Sequence, residues 1–206
     1  MTDVYHITDI DNIPRIIKTG GLLSKTRIES EKVSFEDIAY EGIQDSRATI
    51  KVCCGPGGIL HDYVPFYFAP LSPMLSAIHN GKVAQYTRGQ KSIVYLVSSA
   101  ETIAKNRKFV FTDGHGIMRI TLFFDDLHNL DKIDWKIMAE KYWRNTPEDT
   151  DRKRRRQAEF LVHGDFPWEL IDQICVFDSA SQKTVLEMIK SCSHQPEVKV
   201  MESWYY

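Results

Sequence analysis

Nowhere is the sequence apolar over the ~18 residues that a membrane-spanning helix needs, which excludes an integral membrane protein built on such helices. The opening residues Met1-Thr2-Asp3-Val4-Tyr5-His6 lack the basic start and apolar core of a secretory signal, which predicts a cytoplasmic protein. Cysteine is scarce. Cys53 and Cys54 are adjacent, Cys175 and Cys192 lie far downstream, and no CxxC pair occurs. That spacing supports neither a disulfide framework nor a zinc knuckle, so reduced structural thiols are expected. The histidines are scattered without ligand spacing, and no metal is expected. An excess of positive charge is also missing. Lysine and arginine number 26 against 28 acidic residues, for a net charge of −2 and a pI of about 6.4. The field of the whole molecule therefore does not attract a polyanion, which local patches would have to hold. Cys54-Gly55-Pro56-Gly57-Gly58 is glycine-rich, but it lacks the GK[ST] ending of a phosphate loop and no helix is expected after it. Repeats, linkers and low-complexity segments are absent. With 206 residues, 43% of them hydrophobic, one globular domain over residues 1–206 is expected.

Val4-Tyr5-His6-Ile7-Thr8 alternates as a first strand, with His6 and Thr8 on one face and Tyr5 and Ile7 on the other. Residues 9–12 offer helix caps. Ile13, Ile16 and Ile17 form a helical stripe with Pro14 in its first turn, and Gly20-Gly21 ends the helix before Leu22-Leu23. Residues 29–52 are charged and weakly periodic, which predicts a loop and then a helix over 35–51, with Ile38, Ile43, Arg47 and Ile50 inward. An aromatic strand over 63–70 leads to a helix capped by Ser72 with Pro73 at its first position. Strands are expected at 92–97, 109–112 and 174–177, with an edge strand at 198–200. Helices are expected at 100–104, 130–142 and 185–189. Mixed strands with few intervening helices argue an α+β class.

The most telling stretch is Arg152-Lys153-Arg154-Arg155-Arg156-Gln157-Ala158-Glu159, which runs into the apolar Phe160-Leu161-Val162. A glutamate at the mouth of a buried strand is costly unless it is paired or used. The cations read either as a solvated face with Glu159 as their partner, or as a phosphate-binding surface beside a working carboxylate. His6 carries the same two readings. A strand histidine is commonly a local hydrogen bonder, yet here it shares a face with a hydroxyl close to a glycine stop, which suits a ligand pocket.

Six blocks occur in order: Tyr5-His6-Ile7-Thr8; Gly20-Gly21-Leu22; His61-Asp62-Tyr63-Val64-Pro65-Phe66-Tyr67-Phe68; Ser72-Pro73-Met74-Leu75; Phe111-Thr112-Asp113-Gly114-His115; and Arg156-Gln157-Ala158-Glu159-Phe160-Leu161-Val162. With these, the chain resembles the DarT family from residue 4 to about 178. Members of that family are bacterial toxins that ADP-ribosylate single-stranded DNA. The resemblance implies the ADP-ribosyltransferase fold, two splayed antiparallel sheets around an NAD cleft with helices and substrate loops. It implies that His6 holds the nicotinamide-side ribose, that Ile7 clamps the carboxamide through its backbone, and that Thr8 lies beside them. Gly21, Leu22, Tyr67, Phe68 and Ser72 fall in the same NAD pocket, and Glu159 in the catalytic position. Arg47 is the candidate for the NAD diphosphate or the reacting centre. Met74, Arg152, Lys153, Arg154, Arg155 and Arg156 are the candidates for meeting DNA. One departure is Leu71, where relatives carry arginine, and it concerns phosphate or DNA contact rather than the NAD pocket.

The chemistry asks for the same ingredients. Breaking the bond between C1′ and nicotinamide creates an oxocarbenium-like centre that a carboxylate stabilises. The acceptor must lose a proton, which calls for a base such as Glu159 or His115. Exposed aromatics such as Tyr40 or Tyr63 would stack bases if they face the cleft. The resemblance to the thymine-modifying branch implies transfer to thymine N3 within a short motif, NAD as substrate, a macrodomain antitoxin as partner and a monomeric enzyme. The alternatives are the same fold acting on guanine, RNA or protein, and an inactive nucleic-acid-binding relative.

Overall fold

The fold is organised by a sheet whose middle is a deliberate weakness. The computed structural model describes residues 1–39 and 41–206. Among the described residues ten strands form: β1 (Asp3–Asp9), β2 (Gly21–Leu23), β3 (Tyr63–Tyr67), β4 (Ile93–Ser99), β5 (Phe109–Thr112), β6 (Phe123–Phe124), β7 (Glu159–His163), β8 (Asp165–Pro167), β9 (Gln173–Val176) and β10 (Glu197–Val200). Eight of them build one sheet in the order β10-β9-β4-β1-β3-β7-β5-β6, while β2 pairs with β8 apart from it. All pairs are antiparallel except the edge pair β10 with β9.

β1 is zipped to β4 from Asp3↔Ser99 to Asp9↔Ile93, and β3 to β7 from Tyr63↔His163 to Tyr67↔Glu159. Between β1 and β3 the register is a single pair, Tyr5↔Tyr67. The two halves splay from there, and Pro65 helps to explain why. In an antiparallel ladder a residue's N–H and C=O face the same neighbour, and Pro65 has no N–H to offer. Its carbonyl instead accepts from His6 Nδ1 at 2.8 Å. A side chain thus joins the two halves where the ladder is open.

Alternation buries both faces of the β10-β9-β4-β1 half. Val4, Val94, Leu96, Ile174 and Val176 enter one apolar cluster, and Tyr5, Ile7, Ile93, Tyr95, Val97 and Cys175 a second. β4 is therefore buried at every position, which is why it reads as a continuous apolar run. Helix α1 (Ile13–Lys18) contributes Ile13 and Ile16 to the first cluster, as α8 (Ser179–Ile189) does with Val185 and Ile189.

Several elements differ from the sequence reading. The helix expected over 35–51 is only α3 (Glu41–Arg47), and residues 33–39 have no regular structure. Asn12 replaces helical bonding there, because its amide donates to Glu36 O at 3.0 Å and accepts from Glu36 N at 2.8 Å. α2 (Lys25–Ser30) was not foreseen. Ser24 caps it weakly, at 3.4 Å from Arg27 N, and it buries no residue, so it has no apolar stripe to be read. The helix expected over 130–142 is a 3-10 segment, Leu127–Lys132, followed by the short α6 (Trp135–Ala139). The break falls at Asp134, whose carboxylate caps a fresh start by accepting from Ile137 N at 3.0 Å. The remaining helices are α4 (Pro73–His79), α5 (Ala100–Asn106) and α7 (Arg152–Arg155). Among the described residues no helix is long and apolar enough to cross a membrane. The four cysteines are free.

The pairing of β2 with β8 sets the floor of the splayed region and depends on Gly21. A Cβ there would lie 2.1 Å from Phe166 O, at a φ of +145°. Gly21→Ala is expected to cost at least about 2 kcal/mol. Gly20→Ala, at a φ of +76° with nothing within 4 Å of its Cβ, should cost about 1. Urea unfolding of both variants tests this, and equal midpoints would refute the steric account.

Candidate active site

Where β1 and β3 part, a cleft opens with about 1150 Å³ of empty space, its mouth included. His6, Ile7 and Thr8 of β1 line one wall, Pro65 and Tyr67 of β3 another, and Gly21, Leu22 and Leu23 the floor. The strap formed by residues 33–39 and α3 closes the third side, and Met74 of α4 also lines the cleft. Asn12 ties the strap to the first wall, since its amide also donates to Thr8 Oγ1 at 3.0 Å.

Arg47, the last residue of α3, and Glu159, the first of β7, come together across 112 positions of sequence, with Nη1 to Oε1 at 2.7 Å. Both side chains are only 7% exposed. The pair is incomplete, because Arg47 Nη2 and Glu159 Oε2 are buried with no hydrogen-bond partner. A buried ion pair is costly unless its remaining donors and acceptors are met. Both residues line the cleft, so the pair brings an unmet donor and an unmet acceptor to its edge.

The carboxylate is fixed from behind. Thr112 Oγ1 accepts from Glu159 N at 3.0 Å and donates to Gly114 O at 2.7 Å, so one hydroxyl ties β5 and its following turn to the start of β7. Gly116 keeps the approach clear, since a Cβ there would stand 2.7 Å from Glu159 Oε2. The guanidinium is held through its helix, where Gln44 Oε1 meets His61 Nε2 at 3.1 Å. Asn12, His61, Gln44 and Thr112 escaped the sequence reading. Asn12 passed as a cap and Thr112 as a strand residue, and nothing in their spacing announces contacts made across the fold.

Other candidates fall in three groups. Ser72 is fully buried, caps α4 by accepting from Leu75 N at 3.1 Å, and sits beside the Tyr67 phenol. Burial, then the neighbouring Glu159, push that phenol far up, so it stays protonated. Phe68 points away from the cleft. Alternation puts it in the core against Phe111, Phe160 and Trp135. Tyr63 lines the cleft but is buried, its hydroxyl donating to Gly57 O at 2.6 Å, so it offers no open face for stacking. Tyr40 lies outside the described residues. His115 is near the pair. Burial lowers its pKa first, Glu159 opposes that, and Arg47 and Lys153 add to the lowering, so the ring is neutral at neutral pH.

The basic run is not a free strip of charge. Arg152 pairs with Glu140, Arg154 with Asp113 and Asp151, and Arg155 with Asp134, Asp149 and Asp151. Arg156 is 1% exposed and faces inward. Lys153 alone of the five is exposed, and its side chain forms no ion pair among the described residues. The glycine-rich loop is likewise occupied, with Gly55 N donating to Asp125 Oδ2 at 2.9 Å.

The His6 bridge has a consequence in solution. Burial lowers its pKa from 6.5 to about 4, against the opposing bond to Pro65 O. The unfolded chain therefore binds this proton at higher pH than the folded one. The stability contribution is complete above 6.5 and is lost as pH falls from there towards 4. His6→Gln should show a shallower fall in urea midpoint between pH 7 and 4.5 than the parent chain. Parallel curves would remove His6 as the source.

Comparison with known proteins accords with this geometry. A profile described as "DarT: ssDNA thymidine ADP-ribosyltransferase, DarT" matches residues 5–206. The DNA ADP-ribosyl transferase of Thermus sp. (strain 2.9) is 43% identical over 208 residues, covering 100% of this chain and 96% of the relative. The structure of Thermus sp. 2.9 DarT in complex with ADP-ribosylated ssDNA superposes with a TM-score of 0.93 at 42% identity, over 100% of this chain and 96% of that one. The same protein in complex with NAD+ gives 0.87 at 40% identity, over 100% and 98%. A DNA ADP-ribosyl transferase-DNA ADP-ribosyl glycohydrolase fusion protein of Thermosipho africanus is 27% identical over 163 residues, covering 78% of this chain and 38% of the fusion. The chain belongs to the DarT family of single-stranded DNA thymidine ADP-ribosyltransferases.

Proposed function

We propose that the cleft binds NAD and that the Arg47–Glu159 pair directs transfer of its ADP-ribose to N3 of a thymine in single-stranded DNA, within a short sequence motif. The observation that carries this reading is the pair's unfilled valence, an unmet donor atom, Nη2, on Arg47 and an unmet acceptor, Oε2, on Glu159. A thymine presents the matching edge, a carbonyl beside N3–H. Nη2 donates to the carbonyl and Oε2 accepts the N3 proton. As the bond between C1′ and nicotinamide breaks, N3 attacks C1′, its proton passes to Glu159 or to neutral His115, and nicotinamide leaves. Glu159 also offsets the charge that develops at C1′. His6, Ile7, Thr8, Gly21, Leu22 and Tyr67 supply the NAD walls, with Ser72 behind Tyr67.

N3 lies within the base pair of a duplex, so only an unpaired strand exposes it without an unpairing cost. Lys153 carries the phosphate contact, because the neighbouring arginines are already engaged with carboxylates, and Met74, which lines the cleft, meets the base. The enzyme acts as a monomer in the cytoplasm, with a macrodomain antitoxin that removes the base modification. The glycohydrolase fused to the Thermosipho relative supports such a pairing.

The decisive experiment incubates the chain with NAD and a panel of oligonucleotides and reads the added mass of one ADP-ribose. An unmodified thymine strand should be labelled. Its N3-methyl counterpart and its duplex should not. Labelling of the methylated strand would eliminate N3, and labelling confined to guanine strands, whose O6 and N1–H present a similar edge, would reassign the acceptor. Glu159→Gln should lower kcat by about 10²–10³. A loss under tenfold would take Glu159 out of catalysis. Lys153→Ala should weaken strand binding for every sequence and flatten the log affinity against log salt slope by about 0.7.

A further inference from the structure

Arg156 has no role in the chemistry above, yet it is the largest of the fully buried side chains. No carboxylate meets it. Its guanidinium donates to Pro70 O, to Leu71 O at 3.3 Å and to the Met138 sulfur at 3.7 Å, and its Nε has no partner. Tyr67, Tyr95 and Tyr206 surround it. A second anomaly lies at the same point. Leu71 has a φ of +55°, a left-handed conformation rare for a residue with a branched side chain. Its carbonyl also accepts from Tyr206 Oη at 2.6 Å, which in turn accepts from Trp143 Nε1 at 3.0 Å.

The register explains the meeting. β3 and β7 end their pairing at Tyr67↔Glu159, and Pro70 and Arg156 each lie three residues beyond that rung, facing one another. Pro70 has no N–H with which to extend the ladder and the Arg156 amide is spent on Arg152 O, so the arginine side chain, rather than a backbone amide, donates to the Pro70 carbonyl. We infer that Arg156 is a positioning residue for the transfer reaction: by gripping the 70–71 turn it fixes Tyr67 and the Ser72-capped α4 relative to Glu159. A buried unpaired cation contributes little to stability, and apolar replacements of such groups are commonly neutral or better. Strain held at Leu71 points the same way, since strained backbone persists where the surroundings over-determine it and clusters at working sites. This inference rests on the transfer activity proposed above.

The test compares Arg156→Met and Arg156→Lys with the parent chain in melting temperature, steady-state kinetics and amide exchange. The methionine variant should melt within about 3 °C of the parent. Its kcat should fall about tenfold or more while the KM values for NAD and oligonucleotide stay within about threefold, because geometry rather than binding is lost. The lysine variant keeps the charge but not the two-pronged grip and should fall between. Amides of residues 71–76 should exchange faster in both, with no change elsewhere. A folded methionine variant with unchanged kcat overturns the inference, as does a raised KM at constant kcat. Should the methionine variant fail to fold, lysine decides: reduced kcat at unchanged melting temperature supports the grip, and unchanged kcat overturns it. A parent chain that adds no ADP-ribose defeats the proposed function instead. The exchange of 71–76 then still reports whether Arg156 holds the turn.

Discussion

The ion pair between Arg47 and Glu159 is the contact on which the rest of the structure converges. Neither residue has a reason to be buried for its own sake, and each is delivered by a different half of the chain. α3 brings the guanidinium from a strap that crosses the cleft, and β7 brings the carboxylate from the centre of the sheet. The surrounding contacts hold one or the other: His61 on Gln44, Asn12 on the strap, Thr112 on the amide of Glu159. What they achieve is preorganisation. The donor and the acceptor are held in place at the cleft by contacts that need no substrate, so their orientation is not an expense of the reaction step.

Two prolines organise this region, each by the amide it lacks. Pro65 interrupts the rungs between β1 and β3, and Pro70 the rungs between β3 and the approach to β7. At each interruption the orphaned carbonyl accepts from a nitrogen-bearing side chain, the half-buried His6 in one case and the buried Arg156 in the other. The first opens the cleft and the second closes the wall behind it.

Much of the fold was legible because its signals are local. β1, β4, β5 and β9 follow from alternation or from short apolar runs, and α4 from Ser72-Pro73. The pocket side of β1 follows from the alternation of His6 and Thr8, while the family resemblance singled out Glu159 and Arg47 separately and their pairing went unread, since no spacing spans 112 residues. The failures are non-local. Phe68 was misplaced because the strand's alternation had not been carried one residue past Tyr67. The run from Arg152 to Arg156 looked like open charge because its acidic partners, Asp113, Asp134 and Glu140, lie elsewhere in sequence, and only Asp149 and Asp151 stand nearby. The strap over 33–39 owes its shape to Asn12, which composition alone marks as a cap.

The single rung between Tyr5 and Tyr67 also has a mechanical meaning. A sheet resists bending in proportion to the rungs that cross the bend, and here almost all its compliance is gathered at one seam. Each half is laddered within itself, so a change in the opening angle between the two breaks few backbone rungs. A ligand lying along that seam works as a strut: it touches both halves and converts an angular freedom into a fixed spacing.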